Sequence, residues 1–232
     1  MSTETDLWGT IEGVEIRFPM VVEELHQATL IYTVPIEPAR ALVPGDAFEV
    51  VEIAPGSAMF MMALVDYVRN PWGDYNEVNL GLLVHPVGRP EAAGAFVYRM
   101  PVDQDFTRRA GNEVLGLPKV TEQLEVHYTD DSVRFELHEG DEHALTVQVP
   151  RVPTGAPVPT ETVTYSYLDG RATELPLSIE LGSGLIGPDD VRVELGETAL
   201  AEELRTLGLP RPPDSAVWGE QLCGTFWAPR PI

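Results

Sequence analysis

Gly111-Asn112-Glu113-Val114-Leu115-Gly116-Leu117-Pro118-Lys119-Val120 is the stretch on which the fold turns. Pro118 fixes its own φ and pushes Leu117 towards an extended backbone, so a helix gives way to a strand here. The helix is Asp103 to Val114, opening at an N-cap and carrying Phe106 and Ala110 on one face. Around it the chain is strand-like. Gln27 to Val34, Ser57 to Tyr67, Val78 to Val84, Ala95 to Met100 and Gln123 to Tyr128 are short and rich in β-branched and aromatic residues. So are Ser132 to Leu137, Leu145 to Val149, Thr162 to Tyr167, Leu177 to Leu181 and Val191 to Leu195, each bounded by turn-forming residues. Asp130-Asp131 and Glu139-Gly140-Asp141-Glu142 read as hairpin turns. Further helix is confined to Glu37 to Leu42 and to Glu197 to Leu207, where Leu200, Leu204 and Leu207 share a side and Gly208 ends the run. The expectation is a mainly β (α+β) chain of antiparallel sheets with a few peripheral helices. Proline-rich Pro150 to Pro159 is the candidate boundary, but strands resume after it, so it is read as a crossing loop within a single domain, 1–232.

A chain of 232 residues with 44% hydrophobic residues can bury a sizeable core. Its net charge of −22 repels nucleic acid and anionic lipid, which bind through basic side chains, and leaves a small-molecule substrate as the expected partner. The single Cys223 cannot close an internal disulfide and reads as a small core residue. Met1 to Asp6 lacks the basic and apolar regions of a signal peptide, and no apolar run reaches a membrane span of ~20 residues, so a cytoplasmic location is expected.

Of 15 basic residues, 14 are arginine and one, Lys119, is lysine. Arginine keeps its proton in a protein, whereas lysine can become a neutral nucleophile. A coding preference for arginine that spares one position points to a need for an amine there. Leu117, Pro118 and Val120 give that amine apolar neighbours, and burial alone lowers a lysine pKa. Lys119 is therefore expected to be buried and uncharged.

Other motifs carry less. Gly182-Ser183-Gly184-Leu185-Ile186-Gly187 has the spacing of a dinucleotide fingerprint, but a turn and a strand follow it rather than a phosphate-binding helix. His138 and His143 lie five apart across an expected hairpin turn, without the spacing of a helical zinc motif, and His26, His85 and His127 show no metal spacing. No metal site is expected.

Glu77, after Trp72-Gly73-Asp74-Tyr75-Asn76, enters the apolar run Val78 to Val84, where a carboxylate drawn into a pocket can act as acid and base. Tyr75-Asn76-Glu77, followed some forty residues on by Gly111-Asn112-Glu113 and Pro118-Lys119, resembles the acetoacetate decarboxylase family. Leu30-Ile31-Tyr32 with Ala39-Arg40-Ala41-Leu42-Val43-Pro44, and the closing Pro188 to Leu195 segment with its helix, resemble that family's ends. The resemblance implies an antiparallel cone- or barrel-like fold around a cavity, a homo-oligomer, and an amine at Lys119 that attacks a ketone with help from Glu77. Acetoacetate decarboxylase is itself a familiar example of covalent catalysis by a lysine that its surroundings make nucleophilic. The chemistry implied is imine and enamine chemistry on side chains alone, without cofactor. It decarboxylates a β-keto acid or related oxo-compound, or, as an aldolase-dehydratase, joins a pyruvate-type donor to an aldehyde. A non-catalytic small-ligand-binding protein is the remaining alternative.

Three positions depart from the family pattern. Val120 replaces a second lysine, Leu25 and His26 stand where an arginine is expected, and a second pocket glutamate is replaced around Met61. Tyr75, Met61, Leu25, His26 and Trp72 are the residues expected to meet the substrate, whose mode of holding a carboxylate must then differ.

Overall fold

Along Met20–Pro35 buried and open positions alternate almost without a break, the period-two signature of a strand with two unlike faces. The computed structural model describes residues 5–232; Met1 to Glu4, the start of the expected leaderless N-terminus, lie outside the described residues.

In chain order, a small hairpin of β1 (Asp6–Ile11) and β2 (Val14–Phe18) leads into β3 (Met20–Pro35) and the short helix α1 (Ile36–Ala41). Two three-residue strands, β4 (Phe48–Val50) and β5 (Glu52–Ala54), precede the long strands β6 (Ser57–Arg69), β7 (Tyr75–Pro86) and β8 (Gly94–Val102). Helix α2 (Asp105–Leu115) is followed by β9 (Lys119–Thr121) and the meander β10 (Gln123–Tyr128), β11 (Ser132–Glu139) and β12 (Glu142–Pro150). Then come β13 (Val158–Leu168), β14 (Arg171–Leu181), β15 (Gly184–Ile186), β16 (Arg192–Leu195), α3 (Ala199–Thr206), β17 (Ser215–Phe226) and β18 (Arg230–Pro231).

Seven strands close on themselves in the order β17-β3-β6-β7-β8-β13-β14, with β14 returning to β17 through Leu177 opposite Phe226. Closure removes the exposed edges that a strand-rich chain would otherwise present. All these pairings are antiparallel except β8 with β13. The second sheet, β10-β11-β12-β16, stands apart from the barrel ladder. Two apolar cores follow from the alternation. Leu30, Phe60 and Leu82 on one face of the barrel strands pack with Phe135 and Val147 of the second sheet and with Leu204 of α3. The other face, with Leu25, Val65, Tyr75, Val97, Leu175 and Leu222, forms the barrel interior together with Val114 and Leu115 of α2.

Residues 151–157 carry the chain from the second sheet to the barrel, as a crossing loop should. Gly182 to Gly187 runs through β15 into a 3-10 turn and opens no α-helix. Several expectations need correction. Strand β17 goes unread in the sequence because Gly219 and Gly224 interrupt its pattern, and two register shifts absorb the irregularity. Helix α2 is capped by Gln104, whose side chain accepts from the Thr107 N–H; Asp103 instead accepts from the backbone and side chain of Asn76. Cys223 is exposed, not a core residue, because it sits on the outward side of β17 beside buried Leu222. No helix among the described residues is long and apolar enough to cross a membrane.

Candidate active site

The registers of β3, β6 and β7 place directly opposed residues in rows on the barrel's inner face. Leu25, Tyr67 and Tyr75 make one row, and Gln27, Val65 and Glu77 the next. Thr29, Ala63 and Asn79 follow, then Ile31, Met61 and Gly81. Strand β9 joins in parallel with β8, with Lys119 opposite Met100 and Thr121 opposite Val102, while Val102 in turn faces Glu77. Lys119 is thus delivered to the same inner face as Glu77 from a segment 42 residues away (119 − 77).

Local structure explains why the lysine lies where it does. Helix α2 ends at Gly116, whose φ of 65° is left-handed and whose added Cβ would lie 2.6 Å from the Tyr167 carbonyl oxygen. Pro118 then turns the chain into β9, so the Lys119 side chain runs back along the helix. Gly111 leaves it room: a β-carbon there would stand 2.6 Å from Lys119 Cδ and 2.8 Å from Cε. The Gly-x-Glu-x-x-x-x-Pro-Lys spacing is therefore a packing device in which the glycine makes the channel and the proline aims the amine into it.

The Lys119 and Glu77 side chains are each 3% exposed, and Nζ lies 2.6 Å from Glu77 Oε2. Nζ also donates to Thr107 Oγ1 at 2.9 Å and reaches Tyr75 Oη at 3.5 Å, the outer limit of a hydrogen bond. Two of the three N–H donors of an ammonium group are thus hydrogen-bonded, and the contact with Glu77 Oε2 is an ion pair by distance, without hydrogen-bond geometry. The Tyr75 ring centre is 4.8 Å from Nζ and the Trp72 ring centre 6.0 Å. On the far side of the carboxylate, Glu77 Oε1 accepts from Asn79 Nδ2 at 3.1 Å and from Tyr67 Oη at 3.3 Å. Tyr67 and Tyr75 stack with ring centres 4.5 Å apart and fix the pair from one side.

The amine is buried, as expected, but the expectation that burial leaves it uncharged is corrected. Burial does pull its pKa down; the Glu77 carboxylate and the Tyr75 hydroxyl pull the other way and prevail, so it stands above the ordinary lysine range. Burial is also the chief reason that Tyr75 is raised to about 12 and Tyr67 well above the usual tyrosine range, with Glu77 adding to both. Both phenols are neutral hydrogen-bonding groups at pH 7.

Of the residues expected to meet substrate, Tyr75 and Trp72 flank the amine, and Leu25 lies in the row of the stacked tyrosines. Met61 shares the inner face but lies two rows, about 13 Å of strand, beyond Glu77. His26 does not belong with them. It follows Leu25 on β3 and so points to the other face, where its Nδ1 accepts the Gln221 N–H at 3.0 Å. Thr107, Tyr67, Asn79 and Asn112 were not singled out from sequence. Asn112 lies inside the motif and could have been noticed; Thr107 and Asn79 carry no signal that distinguishes them from ordinary helix and strand residues.

Gln27, Thr29, Ile31, Met61 and Asn79 are half-buried although they face the barrel interior, so space accessible to solvent-sized molecules remains beside Glu77. Two hollows, one of about 340 Å³ past Gly116, Pro118 and Val97 and one of about 430 Å³ past Trp72 and Met20, lie elsewhere and are lined by neither Lys119 nor Glu77. Among the described residues no cluster of three potential metal ligands occurs; the two cross-strand histidines, His138 and His143, bond instead to Glu136 and Thr146.

Comparison with known proteins agrees with this architecture. The family model for acetoacetate decarboxylase matches residues 9–175. A crystal structure of acetoacetate decarboxylase from Legionella pneumophila superposes with a TM-score of 0.66 at 15% identity, over 92% of this chain and 87% of that one. An acetoacetate decarboxylase-like enzyme from Sphingomonas wittichii RW1 gives 0.62 at 14% identity, over 97% and 98% of the two chains. The enduracididine biosynthesis enzyme MppR, complexed with pyruvate, gives 0.58 at 14% identity, over 92% and 90%. At these identities the likeness concerns the fold. No curated protein matches the chain significantly in sequence.

Proposed function

The chain belongs to the acetoacetate decarboxylase family, and on that premise we propose that it is a lyase working through an imine between Lys119 and a carbonyl substrate. The observation that carries this reading is the closed contact of Lys119 Nζ with Glu77 Oε2, 2.6 Å apart and away from bulk water. An ammonium is no nucleophile, so the proton on Nζ must leave first, and the carboxylate that raises the amine's pKa is also positioned to accept it. The neutral amine then bonds to the carbonyl carbon, and the resulting carbinolamine takes that proton back from Glu77 and loses water to give a protonated imine.

The imine is an electron sink. When the bond between the α-carbon and a carboxylate breaks, as in a β-keto acid, CO2 departs and its electron pair forms an enamine. The α-carbon takes up a proton supplied by solvent, and water hydrolyses the imine to return ketone and ammonium. In the aldolase-dehydratase reading the same enamine bonds to an aldehyde carbon instead. The two are separated by whether CO2 is released or a second carbonyl compound is consumed. Tyr75 and Thr107 hold the nitrogen, and Tyr67 and Asn79 hold the carboxylate.

Borohydride reduction in the presence of small carbonyl compounds tests the reading, because it converts an imine into a stable secondary amine. A mass adduct on the Lys119 peptide, absent from Lys119→Arg, is expected. A panel of ketones, aldehydes and oxo-acids that leaves this peptide unlabelled would instead favour a ligand-binding protein on the same fold.

A further inference from the structure

Asn79 holds an unanswered acceptor at the edge of the Lys119–Glu77 pair. Its Nδ2 donates to Glu77 Oε1 at 3.1 Å. A carboxylate only accepts, so this contact fixes which end of the amide faces Glu77 and turns Oδ1 away. That Oδ1 is buried and has no hydrogen-bond donor. An unsatisfied buried acceptor costs stability and is seldom left without an occupant that answers it. Neighbouring positions in the wall are also polar without charge: Gln27 donates to Thr29 Oγ1 at 2.7 Å, in the rows of Glu77 and Asn79 respectively.

Charge points the same way. From the Glu77 row to the Met61 row, the inner face of β3, β6 and β7 among the described residues holds no cationic side chain. The nearest guanidinium on these strands, that of Arg69 at the rim, already pairs with Glu23 and Glu24 at 2.9 and 3.2 Å. A substrate carboxylate placed beside Glu77 would be a second negative charge facing one cation, in a setting where unpaired charge is costly.

We infer that the site takes an uncharged carbonyl compound bearing a hydroxyl group near its carbonyl, a hydroxy ketone or hydroxy aldehyde, whose O–H donates to Asn79 Oδ1. This rests on the imine reading above and narrows it: of the two courses open to the enamine, it favours bond formation or cleavage at an uncharged carbonyl carbon over loss of CO2. Lys119 and the carbonyl carbon make the covalent bond, while Asn79 sorts hydroxylated from plain substrates.

The test compares borohydride trapping of the full chain by 4-hydroxy-2-butanone, 2-butanone and acetoacetate, read as adduct mass on the Lys119 peptide. The hydroxy ketone is expected to reach half-labelling at a concentration about tenfold below that of butanone, the worth of one hydrogen bond, with acetoacetate the weakest. In Asn79→Leu, and in Asn79→Ala should the first fold poorly, the ratio between hydroxy ketone and butanone should fall to near one. A ratio of variant rates cancels any general effect on Glu77. Labelling by butanone with no hydroxy ketone advantage in the unaltered chain, or stronger labelling by acetoacetate, overturns this inference and leaves the imine reading standing. Absence of any adduct overturns both.

Discussion

The side-chain amide of Asn112 clamps the main chain of Lys119 from both sides, accepting from its N–H at 3.0 Å and donating to its carbonyl at 3.1 Å. The contact joins α2 to β9 and fixes the point from which the lysine side chain starts, so a small error here is carried to the amine. Asn112→Ala removes two hydrogen bonds, worth about 1–3 kcal/mol together. We expect the trapping rate to fall by more than the stability loss alone explains, because displacement of a reacting atom by ~1 Å can cost on the order of 100-fold. Denaturant titration and trapping kinetics measured side by side check this. An unchanged trapping rate in a folded variant would remove Asn112 from the positioning machinery.

Gly111→Ala separates local propensity from packing. In an exposed helix the change would stabilise by up to ~1 kcal/mol. Here the new methyl group meets the Lys119 stem, and overpacking typically costs ~1–3 kcal/mol. The packing effect is the larger, so the variant should melt lower and trap ketones more slowly. A higher melting temperature with undiminished trapping would show that the lysine needs no channel along α2.

Thr107 is wholly buried and its hydroxyl lies 2.9 Å from Nζ. Thr107→Val keeps the shape and deletes the acceptor, leaving the ammonium short of one partner. The amine pKa should fall, and the pH at which Lys119 begins to label should move down with it. Asn79 and Tyr67, on the far oxygen of Glu77, are untouched by this change. An unshifted labelling profile in the folded variant would mean that Thr107 only fills space.

Much of this arrangement was legible before the structure, for reasons that differ by element. Strands such as β6 and β7 announce themselves because burial on both faces makes their apolar runs long. The glycine–proline–lysine segment was legible because each residue has one job that few others perform: space, direction and an amine. Strand β17 was not, since its two glycines break the pattern and its partners β3 and β14 lie far away in sequence. The charge of Lys119 was misread for a related reason. Apolar neighbours along the chain speak for desolvation; the resemblance brings Glu77 to the same pocket, but that its carboxylate touches the amine follows only from the registers of β7 with β8 and of β8 with β9. Parity likewise separates Leu25 from His26, which sequence alone treats as a pair.

The pH dependence of stability follows from the raised groups. An amine whose folded pKa stands above its unfolded value stabilises the fold fully at neutral pH and loses that contribution as pH rises through the folded pKa. The buried phenols act in the same direction. Above about pH 10 an unfolded tyrosine gives up its proton while Tyr75, raised to about 12, still holds it, so the unfolded state gains. The protein should therefore lose stability from about pH 10 upwards, which urea midpoints measured across that range would register.

Glu77→Gln reverses the sign for the amine. Without the carboxylate, burial prevails and the Lys119 pKa falls below its unfolded value. At pH 7 the variant carries a buried amine stripped of its counter-ion, a loss of about 3–5 kcal/mol when one partner of such a pair is removed. That penalty arises from keeping the group protonated in the unfolded chain and unfavourably charged or forced neutral in the folded one. It should shrink as pH climbs towards the ordinary lysine value of ~10.4, where the unfolded amine is neutral as well. Urea midpoints of the two proteins should accordingly converge between pH 7 and 10. A gap that stays constant across that range would show that Lys119 and Glu77 are not an ion pair in solution, and the proton transfer that starts imine formation would have to be assigned to another group.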